Sequence, residues 1–262
     1  MFKAADIYWF SGTGNTLLTV RSMAAALSGA GVDVHLHRME QTDPAGVVPG
    51  PDRLLGLACP VAAFSTFPLV WRFVEALPPG QGRPVFLLAT MGGMAGLLAG
   101  PMHGLLTNKG YHPVGVRQIV MPDNYLRIRP AETCAKRQAK GRLQAEEFAR
   151  ALLAGRACWN RFCPVPYPVV RWLWRRQERF FFHPTARRFQ VDPALCTGCG
   201  RCAKLCPVDN IRQASDENDG QPMFKDHCQI CLRCVAFCPT RAIIGGGPGR
   251  GRYRAVADLF GP

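Results

Sequence analysis

Two cysteine-rich stretches decide the fold of the C-terminal part: residues 196–207 read CTGCGRCAKLCP, and residues 228–239 read CQICLRCVAFCP. Each stretch places three cysteines three residues apart, a fourth cysteine four residues later, and a proline directly after it. Eight of the twelve cysteines fall in these stretches. This clustering favours metal ligation over a disulfide framework, and the spacing is typical of iron–sulfur cluster ligands.

The two stretches therefore predict two 4Fe-4S clusters. A short loop wraps three thiolates around one face of a cubane and leaves the fourth iron to a remote ligand. In two-cluster ferredoxins the fourth cysteine of each stretch binds the other cluster. The predicted ligand sets are Cys196, Cys199, Cys202 and Cys238 for one cluster, and Cys228, Cys231, Cys234 and Cys206 for the other.

Other uses of these cysteines agree less well with the spacing. Structural zinc takes one set of four ligands, not two interlocked sets. Covalently attached haem needs a C-x-x-C-H pattern, which neither stretch contains. The remaining cysteines are predicted to be buried thiols without a redox role: Cys59, Cys134, Cys158 and Cys163.

The two cluster loops differ in one respect. Gly198 and Gly200 free the backbone between the ligands of the first loop, whereas Ile230 and Leu232 occupy the corresponding places in the second. The surroundings of the two clusters, and hence their potentials, are therefore expected to differ.

Five apolar runs alternate with helix-like segments in the first 122 residues. The runs are Ile7–Phe10, Val32–Leu36, Leu54–Cys59, Val85–Thr90 and Pro113–Val120. Such alternation predicts an α/β fold with a five-stranded parallel sheet and helices on both faces. In this class, ligands bind at the carboxyl ends of the strands. Residues 131–155 follow as a predicted helix.

A glycine-rich loop, SGTGNT at residues 11–16, comes between the first predicted strand and an apolar helix-like segment. Unpaired amides at a helix start, together with the helix dipole, attract a phosphate group. The loop lacks the lysine of a P-loop NTPase, and Leu17 stands where a dinucleotide-binding loop has its third glycine. It therefore predicts a site for a phosphate monoester held by neutral donors. A loop without any ligand is the alternative.

Residues 11–16 resemble the phosphate loop of flavodoxins. Together with the two cysteine stretches, this makes the whole chain similar to flavodoxin–ferredoxin fusion proteins. The resemblance implies a flavodoxin-like part that binds FMN, with the loops after the third and fourth strands on either side of the flavin ring, and a small α+β two-cluster ferredoxin-like part. The implied FMN-binding residues are Ser11, Gly12, Thr13, Gly14, Asn15, Thr16, Pro60, Val61, Ala62, Ala63, Phe64, Ser65, Thr90, Met91, Gly92 and Gly93.

One of these loops departs from the family. Residues 60–64 read PVAAF, where the family has Pro-Val-Tyr and then a tryptophan. The missing tyrosine removes a stacking partner for the flavin, and Phe64 is the expected substitute, with an aromatic packed in the core as the alternative. Residues 121–125, after the fifth strand, are expected to line the gap between flavin and cluster.

The chain is predicted to divide into four segments. These are a flavodoxin-like FMN-binding domain (1–155), a linker rich in aromatics and arginine (156–188), a two-cluster ferredoxin-like domain (189–247) and a tail (248–262). The linker has three interpretations: packing between domains, a protein-docking face, and a peripheral membrane contact. Residues 245–254 contain five glycines and three arginines and are predicted to be flexible.

Charge and hydropathy narrow the class of protein. The chain has no apolar run of about 18 residues and no signal-peptide layout, which predicts a cytoplasmic protein without a transmembrane segment. The net charge of +14 favours an acidic protein partner, an anionic substrate or an anionic lipid surface. No nucleic-acid-binding fold is indicated, so a nucleic-acid partner is not predicted.

A cluster passes one electron at a time, whereas a flavin holds one or two. The predicted function is therefore electron transfer between the clusters and FMN, with a redox protein as donor or acceptor. One alternative is an FMN-dependent reductase of a small acceptor such as a quinone or a tetrapyrrole. Another is a redox sensor. No residue is predicted to be a catalytic acid or base.

Overall fold

The computed structural model describes residues 2–47, 52–94, 96–159, 165–177, 180, 182, 189–213, 221–245 and 253–259. Its central sheet has five long strands: β1 (Ala4–Trp9), β2 (Asp33–Arg38), β3 (Arg53–Ala62), β5 (Pro84–Met91) and β6 (His112–Val120). They are parallel and lie in the order β2-β1-β3-β5-β6, while the two-residue strand β4 (Ser65–Thr66) pairs antiparallel with β3. Counting the long strands alone, this is the 2-1-3-4-5 order of flavodoxin-like sheets, and the predicted α/β fold is confirmed.

Helices cover both faces of the sheet. The central strand β3 is buried without interruption from Leu54 to Cys59, as expected where helices pack on both sides. One face carries α1 (Asn15–Ser28) and α4 (Ala131–Leu153), and the other carries α2 (Pro68–Ala76), α3 (Ala99–Asn108) and α5 (Tyr167–Gln177). Alternate residues of β1 point into the two cores, with Ile7 in one and Tyr8 in the other. All five predicted strands therefore coincide with observed ones.

Helix α5 lies inside the segment predicted as a linker. Its residues Val170 and Trp174 are buried in the core that also contains α2 and α3. For Val170 and Trp174, this burial agrees with the interpretation of the segment as packing between domains. Residues 160–164, 178–179, 181 and 183–188 lie outside the described part of the chain.

The C-terminal part repeats one small unit twice. The first unit comprises β7 (Gln190–Val191), α6 (Arg201–Leu205) and β8 (Ile211–Arg212), and the second comprises β9 (Met223–Phe224), α7 (Arg233–Phe237) and β10 (Ile243–Ile244). The strands pair antiparallel across the two units, β7 with β10 and β8 with β9. Leu205 and Phe237 belong to the core that contains α1, and Ile230 and Leu232 belong to the core that contains α2. The small unit therefore packs on both cores of the sheet domain.

The predictions for cysteines outside the cluster loops hold in part. Cys59 and Cys134 are buried, and burial raises the pKa of Cys59 to about 12. Cys158 is exposed, so the prediction of a buried thiol is wrong for this residue, which follows the end of α4. Cys163 lies outside the described residues.

A buried charge network holds the amino ends of β1, β3 and β5 together. Asp6 accepts two hydrogen bonds from Arg53, both 2.7 Å long, and one of 2.9 Å from the buried Arg83. Burial alone would raise the pKa of Asp6, but the hydrogen bonds and charges of the two arginines outweigh it and lower that pKa to about 2. Asp6 therefore stabilises the sheet in its ionised form.

We expect Asp6→Asn to lower the free energy of unfolding by about 2 kcal/mol at pH 7. The pKa of Asp6 is lower in the folded state than in the unfolded chain, so its contribution is complete above about pH 4 and is lost as the pH falls towards 2. Guanidinium unfolding should give the same difference from the wild type at pH 7 and pH 5, and a smaller one at pH 3. Asp33→Asn, which alters an exposed carboxylate on β2, is the control. Equal effects of the two substitutions would contradict the stabilising role of ionised Asp6.

Candidate functional site

The glycine-rich loop at residues 11–16 lies where β1 ends and α1 begins. Gly14 has a left-handed backbone with φ of 100°, and its amide donates to Ser11 Oγ at 3.1 Å. Ser11, Thr13 and Thr16 are all buried. Helix α1 starts at Asn15, so its first amides and the positive end of its dipole face the loop. The loop itself thus contributes hydroxyls and amides and no basic side chain.

Hydrogen bonds tie this loop to the ends of two other strands. Thr16 Oγ1 lies 2.8 Å from Thr90 Oγ1 at the end of β5. Asn15 Nδ2 donates to the carbonyl of Pro122 at 2.9 Å, and Asn124 Nδ2 donates to Thr13 Oγ1 at 2.8 Å. The loops that follow β1, β5 and β6 therefore form one connected rim at the carboxyl edge of the sheet.

A cavity of about 780 Å³ opens at this rim. Its volume lies in the range of about 300 to 1,000 Å³ that is usual for ligand sites. Of the implied FMN-binding residues, all line the cavity except Gly14 and Ser65. Ser65 instead accepts a hydrogen bond from the indole of Trp71 at 3.1 Å. Segment 122–126 also lines the cavity.

The donor set of the cavity suits a phosphate monoester attached to a flat ring. Neutral hydroxyls and amides lie at the helix start, and no lysine or arginine is among the described lining residues. Asp123 is the acidic residue in that lining, and its Oδ1 accepts from the amides of Tyr125 and Leu126. The apolar walls come from segments 60–64 and 90–93. These residues fit FMN in kind and in position.

Phe64 stands at the mouth of the cavity and not in the core. Its side chain is 63% exposed, and both Ala63 and Phe64 have positive φ, at 47° and 63°. This backbone is held from behind, because the amide of Leu97 donates to the Phe64 carbonyl at 2.6 Å. Gly96 is required there, since a Cβ would overlap that carbonyl. An exposed aromatic at this place is available to stack on a ring.

The cluster cysteines surround two further cavities. One is lined by Cys196, Cys199, Cys202 and Cys238, and the other by Cys206, Cys228, Cys231 and Cys234. These are the two crossed sets that the sequence predicts. In the described part of the chain no three His, Cys, Asp or Glu side chains are placed to hold a single ion, and in a 4Fe-4S cluster each thiolate binds its own iron.

Burial sets the chemistry of the second set of thiols. It raises the pKa of Cys228 to about 11 and that of Cys231 to about 12. A thiol in such surroundings stays protonated at neutral pH unless a metal displaces its proton. The donor set therefore fits a polynuclear iron centre, whose positive charge would offset the negative charge of the four thiolates.

The two cluster loops have the same backbone but different side chains. Gly198 and Gly200 are left-handed, with φ of 67° and 68°, and Ile230 and Leu232 match them at 57° and 63°. A β-branched residue in this conformation is strained, so the strain must be offset by packing. Ile230 and Leu232 are buried and line the 780 Å³ cavity together with Cys231. The second cluster loop is thus a wall of the flavin-type site, a relation that the sequence did not reveal.

Contacts between this loop and the glycine-rich loop are direct. The Cys231 carbonyl lies against Gly12, where any Cβ would overlap it. Gly12 is therefore required by the approach of the second cluster loop. The same loop also contacts α2, where Gln229 accepts a 3.1 Å hydrogen bond from the amide of Leu69.

Arg233 anchors the same loop. Its guanidinium, 1% exposed, donates to the Ser11 carbonyl at 2.8 Å and lies 2.7 Å from Glu40, whose side chain is 6% exposed. It also stands 4.9 Å from the centre of the Phe10 ring. Arg201 occupies the same place in the first loop, but it is 43% exposed and reaches Asp258 only at 3.6 Å. The buried ion pair is thus specific to the second loop.

Residues 253–259 cover the outer side of the glycine-rich loop. The amide of Ala255 donates to the Thr13 carbonyl at 2.7 Å, and Val256 packs on Gly14. The Tyr253 hydroxyl donates to Asn15 Oδ1 at 2.6 Å and accepts from Gln138 on α4 at 2.9 Å. Tyr253 is buried, so the predicted flexibility does not extend to it, while residues 246–252 lie outside the described part. In the sequence, the one sign of this contact was a tyrosine that follows a glycine-rich run.

Comparison with known proteins assigns the C-terminal part. Residues 188–239 match the family model of the 4Fe-4S dicluster domain. An uncharacterized ferredoxin of Methanocaldococcus jannaschii is 38% identical over 55 residues, which are 21% of this chain and 71% of that protein. The chain belongs to the 4Fe-4S dicluster ferredoxin family. A ferredoxin of Pyrobaculum islandicum is 34% identical over 56 residues, and the chain spans only 50% of its length.

In this dicluster ferredoxin, the family assignment covers one part of the chain and the strand order describes the other. A Megasphaera elsdenii flavodoxin covers 54% of the chain, with 98% of its own length, 23% identity and a TM-score of 0.40. The rubredoxin:oxygen oxidoreductase of Desulfovibrio gigas covers 60% of the chain, with 37% of its own length, 15% identity and a TM-score of 0.42. The protein joins a dicluster ferredoxin domain to a flavodoxin-like fold and is an iron–sulfur protein of the electron-transfer class.

The sequence predicts no transmembrane segment, and the helices of the structure can be compared with that prediction. None of the helices in the described residues has both the length and the apolar character needed to cross a bilayer.

Proposed function

We propose that this protein passes electrons between two 4Fe-4S clusters and one FMN, and so converts between one-electron and two-electron chemistry. A single observation carries the proposal: Ile230, Cys231 and Leu232 of the second cluster loop line the cavity that the glycine-rich loop forms. The cavity of the second cysteine set and the flavin-type cavity therefore share Cys231 and Leu232 as a common wall.

The residues around the cavity have distinct roles in this proposal. The loop at residues 11–16 would hold the phosphate, and segments 60–64 and 90–93 would hold the ring. Bound FMN supplies a carrier that takes up one or two electrons. Ile230 and Leu232 keep water out of the shared wall, because both are apolar and buried. The chain itself positions the carriers and excludes solvent.

Cluster ligation follows the crossed sets of cysteines. The set of Cys206, Cys228, Cys231 and Cys234 would hold the cluster next to FMN. The set of Cys196, Cys199, Cys202 and Cys238 would hold a second cluster farther from the cavity, where Cys199 is exposed. The exposed cluster is the natural point of exchange with a redox protein. The net charge of +14 favours an acidic one.

Cofactor content after anaerobic purification tests this proposal. We expect about eight irons, about eight sulfides and one FMN per chain. About four irons, zinc in place of iron, or a chain without flavin after supply of FMN would each contradict it. The proposal assigns FMN to residues 1–155 and iron to residues 189–247.

We expect Tyr253→Phe to weaken FMN binding about fivefold. The substitution removes the hydroxyl that joins Asn15 of the glycine-rich loop to Gln138, and one such hydrogen bond contributes about 1 kcal/mol. The flavin-depleted protein is titrated with FMN, and binding is monitored through the quenching of flavin fluorescence. Tyr111→Phe is the matched control, since its hydroxyl donates to the Pro78 carbonyl at 3.0 Å away from the cavity. Equal affinities of the two variants would show that the C-terminal residues do not support the site.

A second candidate function is reduction of a small acceptor at the flavin. It is favoured by the exposed Phe64 and by a second cavity that adjoins the first. Turnover of a small acceptor with the purified protein would support it, and strict exchange of electrons with protein partners alone would favour the carrier function.

A further inference from the structure

A second cavity, of about 360 Å³, lies beside the flavin-type cavity and shares the wall made by Ala63 and Phe64. Helix α5 forms its other side through Val170, Leu173 and Trp174, next to Phe180 and Arg176. The volume is in the range of small-molecule sites, of about 300 to 1,000 Å³. The cavity therefore has the size and the apolar lining of a binding site, and one of its sides belongs to the segment predicted as a linker.

The polar groups of this cavity are mostly hydrogen-bond donors. Trp174 is 3% exposed, and its indole nitrogen is buried without a hydrogen-bond partner among the described residues. An indole N–H can only donate, and so can the guanidinium of Arg176. A buried donor without a partner costs about 1 to 3 kcal/mol, a penalty that a ligand with an acceptor oxygen would remove.

The side chain of Arg176 is held near the cavity. Its guanidinium carbon lies 4.2 Å from the centre of the Trp172 ring on the outer side of α5. This stacking limits the freedom of a long side chain and keeps a positive charge at one end of the site. The site thus combines flat apolar walls, one buried donor and one charged donor.

We propose that this cavity binds a quinone, a planar conjugated diketone whose polar groups are carbonyl oxygens. Such a compound offers acceptors and no donors, which complements the indole N–H and the guanidinium, and its flat ring matches walls of Phe64, Leu173 and Trp174. The inference rests on the proposed function, because the shared wall places the compound beside FMN. Conversion of the quinone to its hydroquinone takes two electrons and two protons, which two-electron-reduced FMN gives up on oxidation.

Calorimetric titration of the oxidised, fully loaded protein with menadione tests the site without reliance on turnover. We expect the wild type to bind menadione and Trp174→Phe to bind it about fivefold more weakly. The wild type should bind 2-methylnaphthalene, which has the same carbon skeleton but no carbonyl oxygens, much more weakly than menadione. Trp174→Phe should not change the affinity for 2-methylnaphthalene. Leu173→Trp, which fills the cavity from a partly exposed position, should block menadione.

Trp159→Phe is the matched control, because its indole donates to the Ala99 carbonyl at 3.0 Å outside this cavity. No binding of menadione, equal binding of both compounds, or an unchanged affinity in Trp174→Phe would each overturn the proposal. Flavin and iron are measured in the same samples. If the protein contains flavin and iron but does not bind menadione, the quinone site alone is refuted. If the protein contains no flavin, the proposed function is refuted, whether or not menadione binds.

Discussion

Cys206→Ala is expected to remove the cluster whose other ligands are Cys228, Cys231 and Cys234, and to leave the first cluster in place. Cys206 belongs to the first cysteine stretch in the sequence, yet it lines the cavity of the second set. Loss of one thiolate from a buried set leaves an iron without its protein ligand, so the cluster does not persist. Iron and sulfide should fall from about eight to about four per chain.

The mirror substitution provides the control for this result. Cys238→Ala should remove the other cluster, because Cys238 lines the cavity of Cys196, Cys199 and Cys202. Cys158→Ala, at an exposed cysteine outside both sets, should change neither iron nor sulfide. Electron paramagnetic resonance of the reduced variants distinguishes the two clusters by their spectra. Loss of the cluster begun by Cys196 in Cys206→Ala would show that each stretch supplies all four ligands to one cluster.

Arg233→Met is expected to loosen the second cluster loop from the glycine-rich loop and to slow electron transfer to FMN. The substitution leaves the buried carboxyl group of Glu40 without its partner, and breaking such a pair costs about 3 to 5 kcal/mol. The hydrogen bond to the Ser11 carbonyl is lost as well. Guanidinium unfolding measures the first effect, and rapid mixing with a one-electron reductant, followed at flavin wavelengths, measures the second.

Two further variants separate the role of the pair from a general loss of packing. Arg233→Met combined with Glu40→Leu should regain most of the stability, because no unpaired charge remains in the interface. Arg201→Met changes the corresponding residue of the first loop, which is 43% exposed, and should alter neither measurement. If Arg201→Met and Arg233→Met behave alike, the buried pair does not hold the loop.

Much of this architecture follows from local sequence. The five strands were predicted because apolar runs of strand length alternate with helix-like segments, and that periodicity is a property of neighbouring residues. Three ligands of each cysteine set were predicted because a cubane fixes the spacing of ligands within one loop, and the crossed fourth ligand was taken from two-cluster ferredoxins. The glycine-rich loop was predicted from its place between a strand and a helix. In each of these cases the decisive physics acts over a few residues.

The contacts that join the two parts could not be predicted in this way. Arg201 and Arg233 each precede the third cysteine of their stretch, so nothing local separates an exposed arginine from a buried one. The difference arises because the partners of Arg233, Glu40 and Ser11, are remote in the sequence, Ser11 by 222 residues. Ile230 and Leu232 in place of glycines were the available signal, because both are held at positive φ and buried against the other part of the chain.

The C-terminal residues illustrate the same limit. The composition of residues 245–254 predicts a flexible segment, but the hydroxyl of Tyr253 donates to Asn15 of the glycine-rich loop. The amide of Ala255, just beyond this segment, donates to Thr13 of the same loop. Tyrosine is common both in cores and on surfaces, so its burial depends on a partner that the local pattern does not contain.

Magnetic coupling between the flavin and a reduced cluster tests the central claim most directly. In the anaerobically purified protein, reduced until both one-electron-reduced flavin and a reduced cluster are present, pulsed electron paramagnetic resonance should show strong coupling of the two spins and fast relaxation of the flavin signal. Cys206→Ala should abolish that coupling, and Cys238→Ala should preserve it. A flavin signal that relaxes as if isolated in the loaded wild type would contradict a cluster seated in the wall of the flavin site.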